Sequence, residues 1–369
     1  MKIFIAILFS ALAVLATSAA PLREVYKPYF KLGVALNVRQ VMDPVAGTLA
    51  VREFSSATAE NCMKAAEIQP KEGVFNWKYA DEFVAFCERG GMKPIGHCLV
   101  WHSQPAEWMF TGPDGKPASR ELLLRRLYTH VKTVVGRYKG RVKGWDVVNE
   151  AFDGKGELSK TKWRELIGPD YIELAFRMVH RVDPDAELYY NDFGMDGAKK
   201  RDAVCAMIRN LKAKGIRIDG VGMQTHVNLK HPDLKEFEKS IEAFAAEGVK
   251  VMITEMDISV LPAAWNVTAE ISTRYDYDEK YNPYRNALPE AVADQLARRY
   301  CDFFSIYLRH AGDIDRVTVW GLEDGGSWLN DFPVNGRTDY PLLYDRALKP
   351  KLCRDALERL PVSFRGNKR

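Results

Sequence analysis

Beyond its first twenty residues the chain has no apolar run approaching the roughly 20 residues that a membrane-spanning helix needs. It has no surplus charge of one sign either: 53 basic residues against 49 acidic ones leave a net charge of +4, and no basic stripe suggests a nucleic-acid footprint. Cysteine is sparse and irregularly spaced, at Cys62, Cys87, Cys98, Cys205, Cys301 and Cys353. No Cys-x-x-Cys and no His/Cys cluster occurs, which argues against structural zinc and against the disulfide framework of a small secreted domain. Two states stay open for these thiols, one or two bridges or burial as free cysteines on core faces. Linkers, internal repeats and low-complexity tracts are also missing. With a hydrophobic share of 47% and a charged share of 28%, the chain reads as one large folded unit with an ample core.

The amino terminus is different. Met1-Lys2 precedes an apolar run from Ile3 to Ala16, and the small residues Thr17-Ser18-Ala19-Ala20 stand before Pro21. This is the build of a secretory signal peptide, with cleavage expected between Thr17 and Ala20; the competing reading is a retained N-terminal anchor. The expectation is a leader over 1–20, one domain over 21–360 and a frayed tail over 361–369, in a protein exported to a periplasm or beyond the cell. A leader-proximal cysteine is absent, which argues against a lipoprotein anchor.

From residue 31 onward, short apolar runs alternate with helix-period segments. The strands are expected at Lys31 to Leu36, Arg52 to Ser55, Pro94 to Val100, Val142 to Val148, Glu187 to Asn191, Gly220 to Gln224, Lys250 to Glu255 and Arg316 to Trp320. Between them Leu124, Leu127, Val131, Val134, Val135 and Tyr138 recur at helical spacing, as do Leu296, Tyr300, Phe304, Tyr307 and Leu308. Asp81 to Arg89, Tyr171 to Val182, Lys199 to Lys214 and Leu234 to Ala246 read as further helices. Eight β-then-α units imply an α/β fold, a closed (β/α)8 TIM barrel. A long segment over 262–286 carries Trp265, Tyr275, Tyr277, Tyr281 and Tyr284. It reads equally as a groove wall or as a loop packed on its own aromatics; Asn266-Val267-Thr268 within it fits a glycosylation acceptor but is too short a pattern to carry weight.

Parallel barrels place chemistry at the carboxyl ends of their strands, and Glu150 and Glu255 stand where two buried-strand patterns stop. A glutamate at a strand end is more often a solvated or ion-paired residue, so the surroundings decide. Asn149 precedes Glu150, and Asp257 follows Glu255 by two residues. His226, just past the sixth strand, is placed to bridge Glu255 and Asp257 and keep one of them ionised. Two such carboxylates across a cleft suit glycoside hydrolysis. Asp146 points inward by strand alternation and reads as a structural or tuning carboxylate.

The segments Trp145-Asp146-Val147-Val148-Asn149-Glu150-Ala151 and Ile253-Thr254-Glu255-Met256-Asp257 resemble the acid/base and nucleophile signatures of family 10 glycoside hydrolases, endo-β-1,4-xylanases on (β/α)8 barrels. Thr58-Ala59-Glu60-Asn61-Cys62-Met63-Lys64, Gly96-His97-Cys98-Leu99-Val100-Trp101-His102-Ser103-Gln104, Asn191-Asp192, Gly222-Met223-Gln224-Thr225-His226, and Trp320-Gly321-Leu322-Glu323-Asp324 with Ser327-Trp328 resemble the other strand-end motifs, in order. The resemblance implies a retaining enzyme in which Glu150 is general acid and then base, and Glu255 is the nucleophile, their carboxyl groups roughly 5 to 5.5 Å apart. It implies that Asn149 holds the sugar 2-hydroxyl. By the same likeness His97, Trp101 and Trp320 line the −1 subsite and Glu60, Asn61, Lys64, Gln104 and Trp328 the −2 subsite. Gln224 and His226 complete the substrate-binding set, with Asp257 and Asn191 supporting it. Gln104 and Trp328 would crowd the position where glucose carries a hydroxymethyl group. The implied partners are xylan and xylo-oligosaccharides, with no metal and no organic cofactor, because two carboxyl groups and water complete the cycle.

Taken singly, the three tryptophans read as core and the two histidines as hydrogen-bonded core residues; their neighbouring motifs favour the groove. One departure is visible: the family's usual Asn-Asp-Tyr-Asn is here Asn191-Asp192-Phe193-Gly194, which puts the aglycone-side contacts in question. The competing functions are a β-1,4-glucanase on the same barrel and a binding-only barrel, the latter disfavoured because both carboxylates are present.

Overall fold

The structure, a computed structural model, describes residues 19–263 and 274–366. Expectations for the leader, for Trp265 and for Asn266-Val267-Thr268 lie outside the described residues. Nine strands form one all-parallel sheet: β1 (Lys31–Leu36), β2 (Ser56–Ala59), β3 (Lys93–Gly96), β4 (Gly144–Asn149), β5 (Glu187–Asp192), β6 (Gly220–Met223), β7 (His226–Asn228), β8 (Lys250–Ser259) and β9 (Ile314–Val319). β1 pairs with both β2 and β9, and β6 pairs directly with β8, so eight strands close the barrel. The short β7 sits beyond it and pairs His226 with Asp257 on the extended end of β8. This extra strand brings the histidine beside its two carboxylate partners.

Helices between the strands cover the barrel. Asp233 caps Leu234–Ala246 and Ser119 caps Arg120–Arg137, each side chain accepting from early helical amides. Helices Tyr171–Val182 and Ala198–Ala213 lie where the periodicity puts them.

Two strand expectations need correction. Arg52 and Glu53 end a helix, Pro44–Glu53, whose start is set by Pro44 and the Asp43 cap; the strand is Ser56–Ala59. Its Ser-Ala-Thr-Ala sequence has no large apolar residue, so the pattern concealed it. Glu53 is instead a buried anchor, accepting from the Leu22 amide and from Arg354 of the last helix, both at 3.1 Å. The third strand ends at Gly96, because pairing with β2 stops at Thr58↔Ile95. Leu99 and Val100 still donate to Asp146 and Val147 of β4, so the segment to Val100 follows one neighbour only.

The last helix runs Leu352–Gly366, and its Leu360 and Phe364 pack on the core, so residues 361–366 continue a helix where a frayed tail is expected. All six cysteines are free thiols, five of them buried and Cys301 partly so.

Inside the barrel, Ile95, Tyr189 and Met252 form a separate apolar cluster, with the Arg316 guanidinium 5.3 Å over the Tyr189 ring. Large side chains fit there because facing strands carry glycine. A Cβ on Gly144 would meet Tyr189 Oη at 2.5 Å, and one on Gly220 would meet Met252 at 2.8 Å. Gly96 does the same on the outer face for Trp145, which is fully buried.

Replacing Gly96 by alanine would place Cβ 2.1 Å from Trp145 Cε3. We expect Gly96→Ala to lower the free energy of unfolding by about 1–3 kcal/mol, as overpacking does in a close-packed core. Urea unfolding checks this, and an unchanged midpoint would show that Trp145 moves freely.

Candidate active site

The carboxyl ends of β3 to β9 converge on two buried glutamates. Glu150 follows the last residue of β4, is 6% exposed, and has a left-handed backbone with φ 58°. Its Oε2 accepts from Trp101 Nε1 at 2.6 Å and its Oε1 from Gln224 Nε2 at 2.8 Å. Glu255, within β8 and 4% exposed, accepts from Asn191 Nδ2 at 2.7 Å, and its other oxygen lies 3.1 Å from His226 Nε2.

A run of amides joins the two. Gln224 Nε2 reaches Asn149 Oδ1 at 3.3 Å as well as Glu150, and Asn191 Nδ2 reaches Asn149 Oδ1 at 2.8 Å as well as Glu255. Asn149 thus accepts from both amides that serve the carboxyl groups. Thr254 donates to Asn191 Oδ1 at 2.6 Å, which fixes which way that amide faces. Thr254 was not singled out from sequence, although it directly precedes Glu255.

The two carboxyl groups are shifted in opposite directions. Burial raises Glu150 to about 7, helped by the Asp192 charge, while hydrogen bonds from Gln224 and Trp101 and the nearby His102 pull the other way without prevailing. Burial also works to raise Glu255. There, however, the His226 hydrogen bond, the His97 and His226 imidazoles and the Asn191 amide prevail and hold it below the ordinary carboxylate range. His226 can serve because Asp257, 3.0 Å from Nδ1, backs it. Burial would lower His226, but the Asp257 charge and hydrogen bond, joined by Glu255, push it up to about 10. Both of its ring nitrogens then donate.

Around this pair the expected sugar-binding residues fall into two groups. On one side Lys64 Nζ donates to Asn61 Oδ1 at 2.8 Å and to Gln104 Oε1 at 2.9 Å, and stands 4.9 Å over the Trp101 ring. Burial lowers Lys64, with nearby carboxylates opposing, and burial raises Glu60, with Lys64, Asn61 and Asn37 opposing. His97 is held by Asp146, 2.9 Å from Nδ1, and its ring meets the Trp320 edge at 5.3 Å. Asp146 therefore does face inward.

On the other side Trp328 donates to Asp257 at 2.8 Å and stacks on Phe332 at 4.7 Å. It borders a cleft of about 780 Å³ that also exposes Glu150, His226, Phe152, Phe193 and Asp196. The structure thus puts Trp328 against this cleft and the Asp257 carboxylate. Leu261, Pro262 and Ala263 reach the cleft from the long segment after β8, but none of Tyr275, Tyr277, Tyr281 and Tyr284 lines it. Tyr275 and Tyr277 are exposed and Tyr284 packs on the core.

Comparison with known proteins bears on the chain as a whole. The family model described as Glycosyl hydrolase family 10 matches residues 21–359. A relative named endo-1,4-beta-xylanase A from Xylanibacter ruminicola is 47% identical over 343 residues, covering 92% of this chain and 93% of its own length. Another protein of that name, from a Caldicellulosiruptor species, is 40% identical over 339 residues, covering 89% of this chain but only 46% of its own. Among solved structures, a GH10 endoxylanase retrieved from a sugarcane soil metagenome superposes with a TM-score of 0.90 at 44% identity, covering 92% of this chain and 99% of that one.

Trp101 donates to the ionised form of Glu150, so its loss disfavours ionisation. In Trp101→Phe the Glu150 carboxyl should titrate above the value of about 7 that it has with the indole in place. A carbon-13 NMR titration of glutamate-labelled protein reads this directly; a midpoint that stays or falls would remove Trp101 as a tuning donor.

Proposed function

Because the chain belongs to glycosyl hydrolase family 10, we propose that it is a retaining endo-β-1,4-xylanase, cutting internal β-1,4-xylosidic bonds of xylan through a covalent glycosyl-enzyme. The observation that carries the mechanism is that two buried carboxyl groups, joined through the amides of Gln224, Asn149 and Asn191, are shifted in opposite directions. Glu150, protonated, gives its proton to the glycosidic oxygen while Glu255, ionised, attacks the anomeric carbon; the old carbon–oxygen bond breaks and an ester to Glu255 forms. Glu150, now a carboxylate, then takes a proton from water as that water attacks the same carbon, which releases Glu255 and restores the starting state.

Asn149 Oδ1, facing both amides, leaves the Asn149 amide nitrogen for the sugar 2-hydroxyl, whose bond strengthens as positive charge develops. His97, Trp101 and Trp320 form the −1 subsite, with Glu60, Asn61, Lys64 and Gln104 reading hydroxyls beyond it. Gln104 and Trp328 are the side chains that would crowd a hydroxymethyl group, which favours xylose as the preferred unit. No group besides these side chains and water enters the cycle. The leader-like start of the chain supports export, and no helix among the described residues is long and apolar enough to cross a membrane.

Soluble xylan and carboxymethyl cellulose, incubated in parallel with the protein, test the substrate. Early mixed xylo-oligosaccharides with little product from cellulose are expected, and Glu255→Ala should release nothing while still binding xylo-oligosaccharides. Equal release from both polymers would reassign the enzyme as a glucanase, and no release from either would leave a binding barrel.

Glu150→Ala should keep its glycosylation rate on aryl xylosides with a good leaving group, which need little protonation, and azide should speed its second step. Loss of the same size on every substrate would remove Glu150 from the acid/base role.

A further inference from the structure

Glu150 is one of four non-glycine residues with positive φ among the described residues, in company with Gln104, Thr225 and Leu348. Such a backbone is strained and persists only where its surroundings over-determine it. The amides on either side of the strained unit show what does so here. Glu150 N donates to Asn191 O at 2.9 Å, a strand-like bond. Ala151 N donates at 3.0 Å to a side-chain oxygen, the hydroxyl of Tyr190.

A hydroxyl rotates unless its own proton is placed. Tyr190 gives that proton to Asp192 Oδ2, and Asp192 Oδ1 accepts from Lys200 Nζ and from Phe193 N, both at 2.8 Å. Tyr190 and Asp192 are fully buried and Lys200 is 2% exposed. The Phe193 ring, which borders the cleft, lies 4.1 Å from the ammonium. Strand alternation explains the arrangement. Asn191 projects into the barrel and holds Glu255 and Asn149, while Tyr190 and Asp192 project outward toward the helix that carries Lys200. A buried ion pair is a weak source of stability, so its presence behind the acid calls for another reason.

We propose that Tyr190, Asp192 and Lys200 act as positioning residues for Glu150: by fixing the hydroxyl that holds the Ala151 amide, they keep the Glu150 turn left-handed and its carboxyl aimed at the leaving-group oxygen. The chain of contacts runs from Lys200, which lines the cleft, through Asp192 and Tyr190 to the main chain, so it reaches the acid through its backbone. It rests on Glu150 being the acid/base.

Positioning of an acid matters in proportion to the proton that the leaving group needs. Tyr190→Phe keeps the ring and removes the hydroxyl. It should lower kcat/KM for xylotetraose about ten-fold, a modest share of the roughly 10²–10⁴ that general acid catalysis supplies, and that for 2,4-dinitrophenyl β-xylobioside less than about two-fold. The ratio of the two, measured on one preparation, does not depend on how much of the protein is folded. A merely structural role would lower both equally, and that result overturns the proposal. If Tyr190→Phe does not accumulate as folded protein, Asp192→Asn, which keeps the shape and breaks the ion pair, should show the same bias. Glu150→Ala is run beside them on both substrates. If its losses favour xylotetraose while those of Tyr190→Phe do not, the positioning inference alone falls; if its own losses are equal, the acid assignment fails and takes this inference with it.

Discussion

Burial pushes every carboxyl group toward its protonated form, and in this barrel Glu150 and Glu255 are both buried. The site works by letting burial win at one and lose at the other. Glu150 meets neutral donors, an indole and an amide, which partly offset the cost of its charge. Glu255 meets His226, whose positive charge is itself held in place by Asp257. A single unsupported histidine in so dry a place would lose its proton. The Asp257 to His226 to Glu255 series is therefore what sets the two carboxyl groups apart.

That separation depends on the barrel. β7 exists as a short paired strand outside the closed sheet, and its pairing with the end of β8 sets His226 opposite Asp257. β5 serves both glutamates from its two faces, Asn191 inward and Tyr190 and Asp192 outward. The left-handed residues Gln104, Glu150 and Thr225 gather at the same mouth of the barrel, where strain is tolerated because the surrounding strands are pinned by close packing. Glycines at positions 96, 144 and 220 admit the tryptophan, tyrosine and methionine that fill those walls.

Much of the fold was legible because parallel-barrel strands are short apolar runs and the helices between them keep a 3.6-residue period. The failures are instructive. β2, made of Ser56, Ala57, Thr58 and Ala59, has no apolar signature, whereas Val51 and Phe54 nearby imitate one while ending a helix. Leu360 and Phe364 carry the final helix past the point where the charged end of the chain suggested fraying. The two glutamates were visible because they interrupt apolar strands, and Asn149, Asp257 and His226 because they stand within a few residues of a strand end. Lys200 and Tyr190 were not, since a lysine on a helix and a tyrosine in a strand are ordinary until the fold brings them behind the same turn.

What the sequence determined by itself is therefore the order of the barrel strands and helices, the family resemblance and the placing of two glutamates at strand ends, all of which are encoded by local pattern. Tertiary structure alone decided which donors hold each carboxyl group and where Trp328 points. It also decided that six cysteines stay free and that a lysine eight residues beyond Asp192 supports Glu150. These properties arise from burial and from contacts between distant segments, and neither is a property of any stretch of chain taken alone.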